Sequence, residues 1–178
     1  MKYIAPIFLV CSMGLFLASL TQPAFCTDGK CAPTPFGGLI ILVVGWVGIG
    51  EGGANFTWLS NPSFLVAWVM SMVAWIVSLP QRASLISMVL VILVISFAFS
   101  ALAVILSASF LLFTEVTIGT SGSSNAIFHL HIGYWLWLSS MIVMLVGNGV
   151  QLIVLHNKQE LQLPQHEMAG SFQRWRRI

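Results

Sequence analysis

The sequence predicts an all-α fold, an integral membrane helical bundle of four or five transmembrane helices. Three observations carry this expectation. From Ser84 to Phe113 the chain is an almost unbroken run of Leu, Ile, Val, Phe, Ala and Met with a few Ser, and no charged residue stands between Arg82 and Glu115. As a helix, about thirty residues reach roughly 45 Å, whereas about twenty suffice to cross a bilayer core. Apolar residues make up 58% of the 178-residue chain, and Asp, Glu, Lys and Arg together only 7%, against about a quarter in an ordinary soluble domain. Tyr and Trp gather at the start of another apolar run, Gly133-Tyr134-Trp135-Leu136-Trp137, as in the aromatic belts of membrane interfaces. The length suits one bundle, residues 1–156, and a basic tail, residues 157–178, with no separate soluble domain. A net charge of +2, with the basic residues confined to the ends and one loop, does not suit a nucleic-acid partner.

The first expected span covers residues 3–25. Lys2, the apolar stretch and Thr21-Gln22-Pro23-Ala24 also fit a cleavable signal peptide. Ala24-Phe25-Cys26 is a poor cleavage site, and no good lipobox precedes Cys26, so an uncleaved span stands beside that reading. Cys11 lies inside the apolar segment as a small packing residue. Cys26 and Cys31 bracket the polar loop Thr27-Asp28-Gly29-Lys30. They form a disulfide if the loop faces an oxidising compartment, remain two thiols if it does not, and as a metal pair would lack two further ligands nearby.

The second segment, residues 36–50, is short and rich in glycine. Read as a helix, it places Gly45, Gly48 and Gly52 on one face, where small residues let helices approach closely in lipid. Glu51 follows, then a break at Gly52-Gly53-Ala54-Asn55, and Pro62 fits the first turn of a new helix. The third span, residues 63–79, carries Trp68 and Trp75 one heptad apart, and Pro80-Gln81-Arg82-Ala83 is a tight turn into the fourth, residues 84–113. The fifth, residues 132–156, contains Gly147-Asn148-Gly149. Asn148 at that depth is expected to hydrogen-bond a neighbouring helix for about 1 kcal/mol. In the tail, Arg174, Trp175, Arg176 and Arg177 suit an anchor on an anionic membrane surface, or alternatively a dock for a cytoplasmic partner.

Positive residues favour the cytoplasmic side. Arg82 marks one inner turn. The next two spans cross out and back, so the C-terminal tail is cytoplasmic too, and Glu51 and Glu115 share the outer face. Counting backwards exposes a conflict. Five spans leave Lys2 and the N-terminus outside. Four spans bring them inside but require residues 36–50 to be re-entrant or interfacial. The five-span arrangement is the expectation taken forward.

The outer face then gathers the candidate polar cluster Glu51, Asn55, Asn61, Glu115, Asn125, His129 and His131. Carboxylates at span ends are usually simply solvated, whereas ionisable groups at membrane depth mark function. Glu115 with His129 and His131 has the composition of a two-histidine, one-carboxylate metal site, and Glu51 or Glu115 with His129 that of an acid–base pair. The spacing matches no established motif for either, and neither a catalytic residue nor a cofactor is expected. Asn55-Phe56-Thr57 matches a glycosylation sequon close to the membrane.

Gly45-Trp46-x-Gly48, followed by Trp58-Leu59-x-Asn61-Pro62, resembles a pattern in small bacterial multi-pass membrane proteins of uncharacterised function. Gly133-Tyr134-Trp135-Leu136-Trp137-Leu138-x-Ser140 resembles the opening of their last span. The resemblance implies a bacterial inner-membrane location and carries no catalytic residues. The leading expectation is a non-enzymatic accessory or interaction subunit, with the lipid bilayer, other membrane proteins or further copies of itself as partners. The alternatives are a small transporter or channel component, and a membrane-embedded enzyme using Glu115 and His129.

Overall fold

The computed structural model describes residues 4–27, 37–51, 53–79, 85–117 and 124–175. Their architecture is helical, with one small sheet. Helix α1 is Ile4–Leu20, α2 Gly37–Val44, α3 Ser60–Ser78, α4 Ile86–Ser109 and α5 Ile132–Trp175. Three helical runs are long and apolar enough to cross a membrane: Ala54–Ser78, Ile86–Leu112 and Ile132–Asn157. The apolar α1, at 17 residues, is shorter. It stops five residues before the end of the expected span. Thr21 and Gln22 close its last turn onto the carbonyls of Ala18 and Ser19, and Pro23, which has no N–H to donate, cannot continue the ladder.

The packing shows why these particular residues line the interior. Buried positions on α1 are Ala5, Leu9, Ser12, Phe16 and Ser19, and on α4 Val89, Leu93, Ser96, Ser100, Ala103 and Ser107. On α3, Ser60, Phe64, Ala67, Ser71 and Ala74 follow the same alternation of four and three, and on α5 so do Met144, Asn148, Gln151 and Leu155. Steps averaging 3.5 residues keep one seam of each helix against its neighbours, as in left-handed bundles. The seams are smaller and more polar than the outside. On α4 the exposed side carries Val91, Val94 and Ile105 while four of the six seam residues are Ser or Ala. That inversion suits a lipid surround, where close approach rather than apolarity decides which face is buried.

Helix α3 packs along α4, α1 along α5, and α4 along α5. Phe16 and Phe64 stack at 5.0 Å between α1 and α3. Polar ties cross between α1 and α3, α3 and α4, and α4 and α5. Trp68 Nε1 donates to the Leu9 carbonyl (3.0 Å), Ser96 Oγ to the Ala67 carbonyl (2.7 Å) and Tyr134 Oη to the Ser107 carbonyl (3.0 Å).

The second segment departs from expectation. The glycine-rich stretch forms α2 over eight residues only, then two 3-10 turns, Gly45–Glu51 and Gly53–Leu59. The α-helical part rises only about 12 Å, short of a bilayer core, and this segment is not among the three runs long and apolar enough to cross. Glycine's low helix propensity accounts for the loss of regular α-helix. The second 3-10 turn instead runs into α3 and lengthens it at its start.

The connection after α4 holds a second departure. Strands β1 (Phe25–Thr27), β2 (Glu115–Thr117) and β3 (Ser124–Leu130) form a sheet in the order β1-β3-β2, both pairs antiparallel. The sheet ties the end of α1 and the end of α4 to the start of α5. The termini of these helices, the start of α3 and the α2 segment therefore share one end of the bundle, the sheet end. Finally, α5 continues without interruption from the expected fifth span into the tail, as far as Trp175.

Gly147 sets the approach of α1 to α5. A Cβ there would lie 2.6 Å from Phe8 Cβ and 2.7 Å from Phe8 Cγ, atoms too near the backbone to swing aside. Gly147→Ala is expected to lower stability by about 1–3 kcal/mol through overpacking, read as a lower thermal midpoint in detergent. Phe8→Ala combined with it should cost less than the two changes summed. An unchanged midpoint for Gly147→Ala would contradict the close approach.

Candidate functional site

The α2 segment folds back over the sheet end, and two contacts hold it. Trp58 Nε1, from the second 3-10 turn, donates to the Leu42 carbonyl of α2 at 3.0 Å. Gly45 allows the turn, because a Cβ there would overlap the Trp58 ring. Its role is thus closure of the segment onto itself. The α-helical face expected to bring Gly45, Gly48 and Gly52 against another helix does not form: Gly45 and Gly48 lie in a 3-10 turn, and Gly52 lies outside the described residues.

Beneath this cover is a cavity of about 110 Å³, between the ends of α1 and α4, the starts of α3 and α5, and α2. Its lining is apolar and aromatic, including Leu42, Trp58, Phe110, Tyr134 and Trp137, and no lining residue is Asp, Glu, His, Lys or Arg. The polar groups that reach it are nearly all engaged. Trp137 Nε1 donates to Asn61 Oδ1 at 2.8 Å, tying α5 to α3. Thr57 Oγ1 donates to the Ala54 carbonyl at 2.7 Å, which occupies the hydroxyl of the sequon. The Tyr134 ring packs against Phe110 and Trp137, at 5.5 and 5.8 Å between centroids. The exceptions are two amide nitrogens: that of Asn61, whose hydrogen bond is at its oxygen, and Asn55 Nδ2, which is buried and has no hydrogen-bond partner. An amide nitrogen desolvated in this way costs about 1–3 kcal/mol unless an acceptor meets it.

Of the residues singled out from sequence, Asn55 and Asn61 meet on this cavity. Glu115, His129 and His131 do not line it. Glu115 is exposed at the start of β2, and its register partner is Ala126, while Asn125 faces Val116 across the same pair. His129 is exposed in β3, opposite Cys26 of β1. His131 follows β3, with its N–H bonded to the Ala24 carbonyl at 2.9 Å. Among the described residues no three His, Cys, Asp or Glu side chains converge on a point that would hold a metal ion, so Glu115, His129 and His131 are not assembled as a ligand set. The Glu51 side chain, Cys31, and the side chains of Arg174, Trp175, Arg176 and Arg177 lie outside the described residues, and with Cys31 so does any Cys26–Cys31 pairing.

A second polar feature lies deeper, between α3, α4 and α5. Asn148 is fully buried, and its Nδ2 donates to Ser96 Oγ (2.8 Å) and Ser100 Oγ (3.3 Å). Both hydroxyls already donate their hydrogens to carbonyls, of Ala67 and Phe97. They can therefore only accept from Asn148, which fixes the orientation of its amide. Gln151, one turn on, donates to Ser71 Oγ at 3.3 Å. The amide oxygens of both residues, Asn148 Oδ1 and Gln151 Oε1, are buried without a partner. Sequence reasoning found Asn148 and missed Gln151, Ser71, Ser96 and Ser100. The signal was present: Ser96, Ser100, Ala103 and Ser107 recur at steps of four, three and four within an otherwise large-residue helix, and Gln151 shares a helical face with Asn148.

Fold and site together define an apolar helical bundle with a covered, uncharged cavity at one end and a neutral polar seam inside. No family model, curated protein or solved structure matches the chain.

The Trp137–Asn61 bond is the polar floor of the cavity. Trp137→Phe leaves the buried Asn61 Oδ1 without its donor and should cost about 1–3 kcal/mol. Pairing it with Asn61→Leu removes both partners and should cost less than the sum of the single changes, by calorimetry or thermal unfolding in detergent. Additive losses would show that the bond is energetically idle.

Proposed function

We propose that this chain is a non-enzymatic multi-pass inner-membrane protein acting as an accessory or interaction subunit of a membrane complex, with its sheet end as the recognition surface. The observation that carries the proposal is the cavity and its cover: the chain spends its irregular structure, its interfacial aromatics and an unpaired amide on one uncharged concavity, which is an apparatus for binding. Concave sites that are mostly apolar with a few placed polar groups are the usual form of a binding pocket. The bilayer supplies the surround for the apolar helix faces, and the partner is a second membrane protein or another copy of this chain.

Charge supports a four-span topology in this reading. Since α2 is too short to cross, α1, α3, α4 and α5 alternate in direction. By this count Lys2, Arg82 and the start of the C-terminal tail belong to the same side of the membrane. Of the seven basic residues only Lys30 falls, by sequence, on the outward side of this count. By the preference of Lys and Arg for the cytoplasm, the sheet end faces outward and both termini face in. The conflict between Lys2 and Arg82 that five spans create disappears.

The test is labelling in intact cells with a membrane-impermeant maleimide. Cys26 and Cys31 should react without lysis, after reduction if they are paired, and a cysteine placed at Ser84 should react only after lysis. Labelling of position 84 in intact cells, or of the native pair only after lysis, would refute the topology. Photo-crosslinkers at exposed sheet-end positions such as Phe56 should capture a membrane partner or a second copy; loss of all crosslinks in native membranes would remove the recognition role.

A second reading, a small transporter or channel component, draws on one specific observation, the unpaired oxygens of Asn148 and Gln151 in the middle of the bundle. It predicts that Asn148→Leu changes solute or water flux through liposomes containing the protein by at least about threefold, on the order of a 0.6 kcal/mol change in barrier. Equal fluxes for the two proteins, or none above empty liposomes, count against it.

A further inference from the structure

The cavity beneath α2 has a chemistry narrow enough to name its occupant. Trp58, Trp137 and Thr57 each have their donor committed within the protein, and so does Tyr134. A molecule entering therefore meets apolar and aromatic walls and two amides with an uncommitted N–H, those of Asn55 and Asn61. A water molecule is a poor match for walls that are mostly apolar and aromatic, because buried waters need two to four polar partners at one point. An anion is a worse one, since no cationic side chain lines the space to offset its desolvation. The remaining class is an apolar chain that carries an uncharged hydrogen-bond acceptor.

Position agrees with that class. The cavity is lined by Leu20 at the last residue of α1, Phe110 just beyond α4, Asn61 in the first turn of α3 and Gly133 in the first turn of α5. If these helices span, it lies at the boundary between hydrocarbon and headgroups, where Trp and Tyr also prefer to sit. The carbonyls of membrane lipids occur at that depth.

We infer that the cavity binds a lipid-like molecule, seating an apolar chain against Trp58, Phe110 and Trp137 while a neutral carbonyl oxygen accepts a hydrogen bond from Asn55. Two membrane sources share this chemistry, the ester of a glycerolipid and the ring carbonyl of a prenylated quinone. The inference rests on the outward, interfacial placement of the sheet end argued above, and it does not require a protein partner.

The experiment uses the full chain, purified in mild detergent and stripped of lipid, with thermal unfolding as readout. Three probes are added separately: a diacyl phosphatidylcholine, its dialkyl ether analogue, which lacks the carbonyls, and a short-tailed prenylated benzoquinone. At roughly a hundredfold excess over Kd, a ligand of the native state should raise Tm by on the order of 5 °C. Stabilisation by the ester lipid but not its ether analogue identifies the glycerolipid source; stabilisation by the quinone alone identifies the other. In either case Asn55→Leu should abolish the response, and Leu42→Trp, which fills the space, should reduce it. Two results overturn the inference: equal shifts with ester and ether lipids and none with the quinone, or an Asn55→Leu protein that responds like the native one. Its failure would leave the crosslinking result untouched, so the ligand and the protein partner are judged separately.

Discussion

Lipid gives two apolar helices little reason to associate, because the tails around them are as apolar as Leu. The close, small-residue seam of α4 is the constraint from which the rest of this bundle follows. Ser96, Ser100, Ala103 and Ser107 occupy its buried positions, and small side chains there let α3 and α5 come near enough for polar contacts to form. Ser96 then reaches a backbone carbonyl of α3 and receives the Asn148 amide of α5. One hydroxyl thus joins three helices. Each such bond is worth only about 0.6 kcal/mol in a membrane, so cohesion comes from many, repeated on the Trp68, Tyr134 and Trp137 side chains.

The sheet end follows from a different rule. A backbone leaving a helix near the hydrocarbon boundary must satisfy its own N–H and C=O groups, since lipid offers no partners. After α1 and α4 the chain meets this demand by pairing β1 and β2 with β3. Three helix ends become linked through one set of backbone hydrogen bonds. The α2 segment solves the same problem with short α and 3-10 hydrogen bonds and with the Trp58 bond to Leu42. Its return over the bundle creates the cavity: four helix ends cannot close perfectly beneath so short a cover.

The all-helical reading and the long spans were legible because they depend on local apolarity. The uncharged run to Phe113 lies in α4, its short 3-10 extension and one further residue, and Arg82 stands in the connection before it. What was not legible depended on contrast within an apolar background. A hydrophobicity pattern cannot show which side of α4 is buried when all sides are apolar; residue size does, through the spacing of Ser96 to Ser107. Residues 36–50 were read as a span since they are apolar, but the glycines that suggested close packing also shortened the helix. The strands were hidden because each pairs with a segment far away in sequence. The candidate site shares that difficulty. Asn61 and Trp137 stand apart in sequence, and nothing local to either announces the other.

Among the described residues, the buried side-chain atoms left without a partner fall into two groups of opposite sense. At the sheet end the unpaired atom is a donor, Asn55 Nδ2; in the bundle interior the unpaired atoms are acceptors, Asn148 Oδ1 and Gln151 Oε1. All three belong to neutral amides, and that choice is informative. A carboxylate or ammonium at these places would carry a far greater desolvation cost and would demand a counter-charge. A neutral amide holds one hydrogen bond open at a cost that ordinary packing offsets. Such groups can orient a bound molecule through hydrogen bonds, and they carry no proton to exchange near neutral pH. What the described interior leaves open is thus hydrogen bonding without charge, on the Asn55, Asn148 and Gln151 amides alike.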